Sequence, residues 1–197
     1  MTLAGVGIFG YATGVLMGPF APVLGDRLPE LTCLQVAFTA ERFAAVFGSF
    51  TTEQQAAIAQ LLIPGDVVFA WGYGCLLTGL LGLLTLRLPA SWQPAGRWLT
   101  WTPLLASALD CLEDLCLHAL AVAPAGSDPG VLPLLAGIAA TLKYLNVSLL
   151  APAYGIAGSI RGLTHDRRAG ALVIYLLVVV NAVAFVARPL QQIPACF

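Results

Sequence analysis

Five long apolar stretches, separated by shorter polar segments, dominate the pattern of hydrophobic and polar positions along the chain. A helix needs about 20 apolar residues to cross the hydrocarbon core of a bilayer. Each stretch is close to this length, so the pattern predicts an all-α integral membrane helical bundle that forms one domain over residues 1–197. The expected spans are 3–23, 64–86, 98–123, 131–159 and 169–187.

The polar segment between the first two spans contains helix signals of its own. Thr39 precedes the amphipathic run AERFAAVF and Gly48 follows it, which is the usual order of an N-cap, a helix and a glycine stop. Thr51 and Gln54 have the spacing of a capping box. We therefore expect two short interfacial helices at about 39–63, which either cap the bundle or bind a partner. Four phenylalanines are candidate membrane anchors for them: Phe38, Phe43, Phe47 and Phe50.

Composition agrees with the membrane as the solvent. Only 10% of the residues are charged, 59% are hydrophobic and the mean hydropathy is +0.88, whereas about a quarter of the residues in a soluble domain are charged. The net charge of −1 gives no reason to expect nucleic acid as a partner. The first basic residue is Arg27, so we interpret residues 3–23 as a retained span rather than a signal peptide, which would begin with basic residues.

The loop arginines predict the orientation, because cytoplasmic loops are richer in basic residues. A cytoplasmic N-terminus leaves five arginines on the inner side and three on the outer side. We therefore expect the N-terminus in the cytoplasm and the C-terminus outside. The inner set is Arg87, Arg97, Arg161, Arg167 and Arg168, and the outer set is Arg27, Arg42 and Arg188.

Small residues repeat every four positions along the first two spans, and such repeats allow helices to approach closely inside lipid. We hypothesise that the two repeats face each other and that Gly14→Leu disrupts the fold. The first repeat is Gly10, Gly14 and Gly18, and the second is Ala70, Gly74, Thr78 and Gly82.

Charged residues inside the predicted spans are the candidate chemistry. An ionised group at mid-bilayer costs several kcal/mol unless it is paired or hydrated. On a helix, the polar residues of ALDCLEDLCLHAL occupy an arc of about 140°, so one face of the third span must point into protein or water. The candidate cluster is Asp66, Asp110, Glu113, Asp114, His118 and Lys143, the last being the only lysine of the chain.

Lys143 is the expected partner of these acids. At 1.5 Å per residue it lies ~15–20 Å deep in the fourth span, at the depth of Asp110 and Glu113. We expect a pair between Lys143 and one of these two acids, and we expect Asp66 to approach His118. One amine cannot neutralise three stacked carboxyls, so at least one acid is expected to hold a proton near neutral pH.

Three interpretations of the cluster are open at this point. It is a structural ion-pair network, a path or site for protons, cations or a polar substrate, or a metal site. Ligands from a single helix do not complete a metal site, and no Glu-x-x-His or His-x-x-x-His spacing occurs. We therefore assign no metal and no cofactor.

The five cysteines contain no Cys-x-x-Cys pair, which argues against a thioredoxin-like or zinc-ribbon site. Free buried thiols are expected for Cys75, Cys111 and Cys116. The topology leaves Cys33 and Cys196 on the same outer side, where an oxidising compartment would allow a disulfide between them.

The chain resembles small polytopic bacterial membrane proteins of unknown activity. The resemblance depends on the order of AFTAERFAAVFGSF, PGDVVFAWGYG and LDCLEDL, and it covers roughly residues 36–150. It implies a bundle in the bacterial inner membrane, and it carries over no activity or site.

No nucleotide-binding, serine-hydrolase or zincin motif is present. We therefore expect a non-catalytic structural or accessory component, with the lipid bilayer and other membrane-protein subunits as partners. The alternative is proton- or cation-coupled transport or relay through the carboxylate–His–Lys cluster. A third option is an intramembrane enzyme that uses the carboxyls on a lipid-like substrate.

Overall fold

The computed structural model describes residues 1–124, 126–166, 168–192 and 196, and in this part of the chain every regular element is helical. Three helical stretches are long and apolar enough to cross a membrane, judged by length and composition. The predicted all-α class is thus confirmed, together with three candidate spans. These stretches are Thr2–Gln35, Thr52–Arg87 and Leu132–His165.

The other two predicted spans are helical as well. Thr102–Ala121 carries three acids, which lowers its hydropathy. The last helix is Ala169–Gln192, and its described part Gly170–Asn181 is apolar.

Eleven α-helices follow one another in the described residues. Short π-helical or 3-10 segments join several of them: Ala12–Met17, Gly18–Phe20, Gly25–Glu30, Leu61–Asp66 and Leu145–Leu150. The helices are α1 Thr2–Tyr11, α2 Ala21–Leu24, α3 Leu31–Gln35, α4 Ala40–Gly48, α5 Thr52–Gln60, α6 Val67–Arg87, α7 Gln93–Leu99, α8 Thr102–Ala121, α9 Leu132–Tyr144, α10 Ala151–His165 and α11 Ala169–Gln192.

The helix signals of the first loop act as predicted. The hydroxyl of Thr39 accepts a hydrogen bond from the backbone N–H of Arg42, and Thr51 and Gln54 form a complete capping box. The helical path is then interrupted at Ile63, which is extended. The residue before a proline is disfavoured in the helical region, so Pro64 explains the break.

The two short helices of the first loop pack onto the bundle through their phenylalanines. Phe43 and Phe50 are buried in one hydrophobic cluster with Leu117 of α8. Phe47 stacks on Phe43 at 5.4 Å between ring centroids. The ring of Phe38 lies against Gly137 of α9, close enough that an added Cβ would approach it to 2.5 Å. Phe43 and Phe50 are thus buried in protein and do not serve as membrane anchors, whereas Phe38 and Phe47 are partly exposed and their anchoring stays a prediction.

The bundle is built from neighbouring pairs. Helix α6 packs against α1 and α8, α8 packs against α9, and α10 packs against α11. Helix α11 also contacts α6. The long helix α6 is therefore central, and α8 lies between α6 and α9 with its acid-bearing face enclosed.

The predicted pairing of the two small-residue repeats is wrong. Gly10 and Gly14 face open space. On α6, Gly74 faces α8, where an added Cβ would lie 2.0 Å from the Ser107 hydroxyl oxygen. The α1–α6 contact instead involves Gly5 and Gly72, whose Cβ atoms would lie 2.3 and 2.7 Å from backbone nitrogens of the other helix. A four-residue repeat defines a helix face but does not specify which neighbour covers it.

Candidate functional site

The three acids of α8 are enclosed in the bundle. Spacings of three and four residues put Asp110, Glu113 and Asp114 on one side of a helix. Asp110 is 4% exposed, and Glu113 and Asp114 are 0% exposed. On the other side of α8, Leu112 and Leu115 are exposed, as expected for a surface that meets lipid.

Lys143 of α9 reaches both acids that the sequence offered as partners. Its Nζ lies 2.5 Å from Asp110 Oδ1 and 2.7 Å from Glu113 Oε2. The same ammonium lies 4.9 Å from the ring centroid of Tyr144, within the range of a cation–π contact. Lys143 is 5% exposed, so these contacts replace its hydration.

Tyr73 of α6 completes the environment of Asp110. Its hydroxyl donates to Asp110 Oδ2 at 2.9 Å. Both oxygens of Asp110 are therefore occupied, one by the phenol and the other by Lys143. The sequence indicated only that Tyr73 and Asp66 share a face of the second span.

Asp66 lies with the acids of α8 rather than with His118. Its carboxyl and those of Asp110 and Asp114 have oxygens within 4.8 Å of one another. The Nδ1 atom of His118 instead lies 2.9 Å from the carbonyl oxygen of Ala59. Because a carbonyl can only accept, this Nδ1 carries the proton and donates it. Ala59 precedes the interruption at Ile63, so a helical wheel of the second span does not include the residue that His118 contacts.

Asp114 is the acid without a counterpart. Neither of its carboxyl oxygens accepts a hydrogen bond of good geometry from an amine, amide or hydroxyl in the described part of the chain, and its side chain meets the carboxyl of Asp66. Glu113 makes its ion pair with Lys143, and Asp110 is bonded twice. Asp66 and Asp114 therefore lie close together in a cluster that contains more carboxyls than amines.

The three clustered carboxyls of Asp66, Asp110 and Asp114 are close enough for one metal ion to touch all of them. The surroundings fit such an ion poorly. The Lys143 ammonium is bonded to Asp110 and would repel a dication at this distance. The other oxygen of Asp110 is already bonded to Tyr73, so only Asp66 and Asp114 remain as available ligands.

Polar contacts continue along the α6–α8 interface toward the end of α6 at Arg87. The Ser107 hydroxyl donates to the carbonyl of Ala70 at 2.6 Å. Further along, the hydroxyl of Thr85 contacts Tyr154 at 2.7 Å and Thr100 at 3.1 Å. The polar face predicted for the third span thus extends beyond its acids.

A cavity of about 90 Å³ adjoins the cluster on the side of the first loop. Among the described residues, Asp66 is its one acidic lining residue and Gln35 is the other polar one. The remaining lining residues are apolar: Met17, Leu28, Leu31, Leu34, Phe43, Phe47, Ile58, Leu61, Leu62, Leu117 and Ala121. No pattern in the sequence predicts this cavity, because its walls come from several separate segments.

A disulfide joins Cys33 of α3 to Cys196, with their Cα atoms 5.1 Å apart. The side chain of Arg42 also donates to the backbone carbonyl of Cys196. The C-terminal end of the chain is thereby attached to the first loop. Cys75, Cys111 and Cys116 are free thiols, as predicted, but of the three only Cys116 is buried and the other two are partly exposed.

The opposite end of the bundle carries a second group of charges. Arg87 Nη1 lies 3.2 Å from Asp166 Oδ2. The backbone N–H of Arg168 donates to Asp166 Oδ1, and this bond together with the neighbouring arginines lowers the pKa of Asp166. Arg167 and the side chain of Arg188, which the orientation argument also used, lie outside the described residues.

The fold and the site together define an all-helical chain with three candidate membrane spans and an acid-rich cluster enclosed between its helices. Comparison of the chain with protein families, with curated proteins and with solved structures finds no match.

Proposed function

We propose that this chain is a five-span membrane protein that binds and relays protons or another cation through its buried acid cluster. Four carboxyls meet one amine there, and the fully buried Asp114 accepts no hydrogen bond of good geometry from an amine, amide or hydroxyl among the described residues. A buried carboxylate without a partner is costly. If the network served stability alone, giving Asp114 a cation partner or replacing it by a neutral residue would make the protein more stable. The surplus acid therefore supports a functional role.

Contacts at the two ends of the bundle support the proposed topology. Cys196 is bonded to Cys33, and both would lie outside if the N-terminus is cytoplasmic. Arg87 and Asp166 pair at the other end, in the two loops expected on the inner side. One predicted span separates Cys33 from Arg87 and another separates Asp166 from Cys196, as the proposed topology requires. The bacterial inner membrane is the proposed location, because the chain resembles small polytopic bacterial membrane proteins.

The test is proton flux in liposomes of purified protein, measured with an internal pH dye after an acid pulse. We expect a flux above that of empty liposomes, and we expect Asp114→Asn to abolish it because the uncompensated acid is removed. Asp26→Asn, the same change at an exposed acid, is the matched control. Flux that persists at the wild-type rate in Asp114→Asn would contradict the proposal.

The accessory role and the lipid-directed enzyme stay predictions, since no contact of the described residues bears on either. Purification in mild detergent distinguishes the accessory role, which predicts stable co-purifying subunits. A monodisperse single chain with Asp114-dependent flux favours the relay.

A further inference from the structure

The cavity beside Asp66 combines a nearly uniform apolar wall with one carboxyl. Eleven of its thirteen lining residues are apolar, two of them the phenylalanines Phe43 and Phe47. Ligand sites commonly have this composition, in which apolar walls supply contact area and a few polar groups fix the orientation. The single acid therefore determines which charge a ligand must carry.

The charge behind Asp66 is also unbalanced. Asp66 has carboxyl oxygens of Asp110 and Asp114 within 4.8 Å. The ammonium of Lys143 is directed at Asp110 and Glu113, and Asp114 accepts no hydrogen bond of good geometry from an amine, amide or hydroxyl in the described residues. A positive group at the Asp66 end of the cavity would meet two acids without a direct cation partner, and it would relieve their mutual repulsion.

The apolar walls discriminate between kinds of cation. A hydrated metal ion would have to lose its water along walls that offer few polar replacements. An ammonium attached to an alkyl chain avoids this cost, because the chain gains by leaving water and the charged head reaches the acids.

We propose that the cavity binds a lipophilic ammonium ion, with its alkyl chain among the apolar side chains and its charged head at Asp66 and Asp114. This proposal rests on the proposed function, and it names the class of cation that the acid cluster takes. The cavity volume of about 90 Å³ leaves room for a short chain, and a longer one would extend through the mouth of the cavity.

The test is equilibrium binding of n-butylammonium chloride to the purified protein in a nonionic detergent, measured by ligand-observed NMR. Neutral n-butanol is the matched ligand control, and sodium chloride and magnesium chloride are competitors. We expect butylammonium to bind at least tenfold more tightly than butanol. Equal affinity for the two, or displacement of butylammonium by magnesium at equimolar concentration, would overturn the proposal.

Two variants locate the ligand. Asp66→Asn should remove the preference for the amine while the alcohol binds as before. Ala121→Leu should fill the cavity and weaken both ligands, whereas Ala119→Leu on the same helix, outside the cavity lining, should weaken neither. Thermal unfolding of each variant checks that it is folded. Unchanged amine preference in folded Asp66→Asn, or unchanged binding in folded Ala121→Leu, would contradict the assigned position.

Binding and flux separate the two proposals. Absence of an amine preference in the wild-type protein, with intact Asp114-dependent proton flux, overturns only the ligand assignment. Amine binding that depends on Asp66, in a protein without flux, overturns the relay and leaves the binding site.

Discussion

At the scale of single residues, the acids of α8 were readable from the sequence and their surroundings were not. Spacing along one helix predicts that Asp110, Glu113 and Asp114 share a face, and all three are buried on that face. Matching depth predicts that Lys143 meets them. The contact of His118 with Ala59 could not be predicted, because Ala59 lies before the interruption at Ile63 and its position depends on the direction of the chain there.

Lys143 is the residue whose loss should destabilise the cluster most. Lys143→Met leaves Asp110 and Glu113 buried without their cation, and removal of one member of a buried ion pair typically costs about 3–5 kcal/mol. We expect a corresponding decrease in the free energy of unfolding, measured by denaturation in mild detergent. Adding Glu113→Gln should recover part of this loss, since one buried charge is then removed.

Asp114→Asn is the variant to compare with Lys143→Met in the same unfolding measurement. Asp114 contributes charge but accepts no hydrogen bond of good geometry from an amine, amide or hydroxyl within the described residues, so its neutralisation should leave stability unchanged or raise it. Equal destabilisation by Lys143→Met and Asp114→Asn would contradict the distinction between a paired and a surplus acid.

At the scale of helices, local sequence signals predicted where helices begin better than they predicted which helices pack together. Thr39 and Thr51 begin helices where expected, because capping depends on a few neighbouring residues. The predicted contact between the glycine repeats failed, because both faces of α6 carry small residues. Gly74 faces α8 and Gly72 faces α1.

Gly72 should be essential to the contact between α1 and α6. A Cβ there would lie 2.7 Å from the backbone nitrogen of Phe9, and backbone cannot move aside as a side chain can. Gly72→Leu should therefore separate the helices, with a cost of at least about 1–3 kcal/mol. Thermal unfolding in detergent measures it. Gly14→Leu is the control, since Gly14 is exposed with open space around its Cβ position, and equal loss in both variants would refute this contact.

At the scale of the whole molecule, the disulfide and the end contacts connect distant parts of the chain. Cys33 and Cys196 are separated by 163 residues, so their bond closes nearly the entire sequence into a loop. The sequence predicted this pair only because the expected topology puts both cysteines on the outer side of the membrane. The cavity between the first loop and the bundle was beyond prediction, because it exists only once both are packed.

Loss of the disulfide should lower stability without affecting the acid cluster directly. Chain-entropy reasoning for a loop of this length gives an upper estimate of about 5 kcal/mol. Cys33→Ser should therefore unfold at a lower temperature than wild type under non-reducing conditions, and the two should become similar once wild type is reduced. Cys75→Ser, at a free thiol, serves as control. Identical unfolding of oxidised wild type and Cys33→Ser would show that the bond does not form or does not contribute.

Asp110 of α8 bonds to Tyr73 of α6 and to Lys143 of α9, so these contacts connect three helices of the bundle. A shift of α8 by a single residue would move Asp110 by about 1.5 Å along the axis and break both of its bonds in a dry environment. The core helices are therefore stiff against sliding. The chain departs from the helical path outside these bonded helices, at Ile63 and at Gly25, whose positive φ suits glycine.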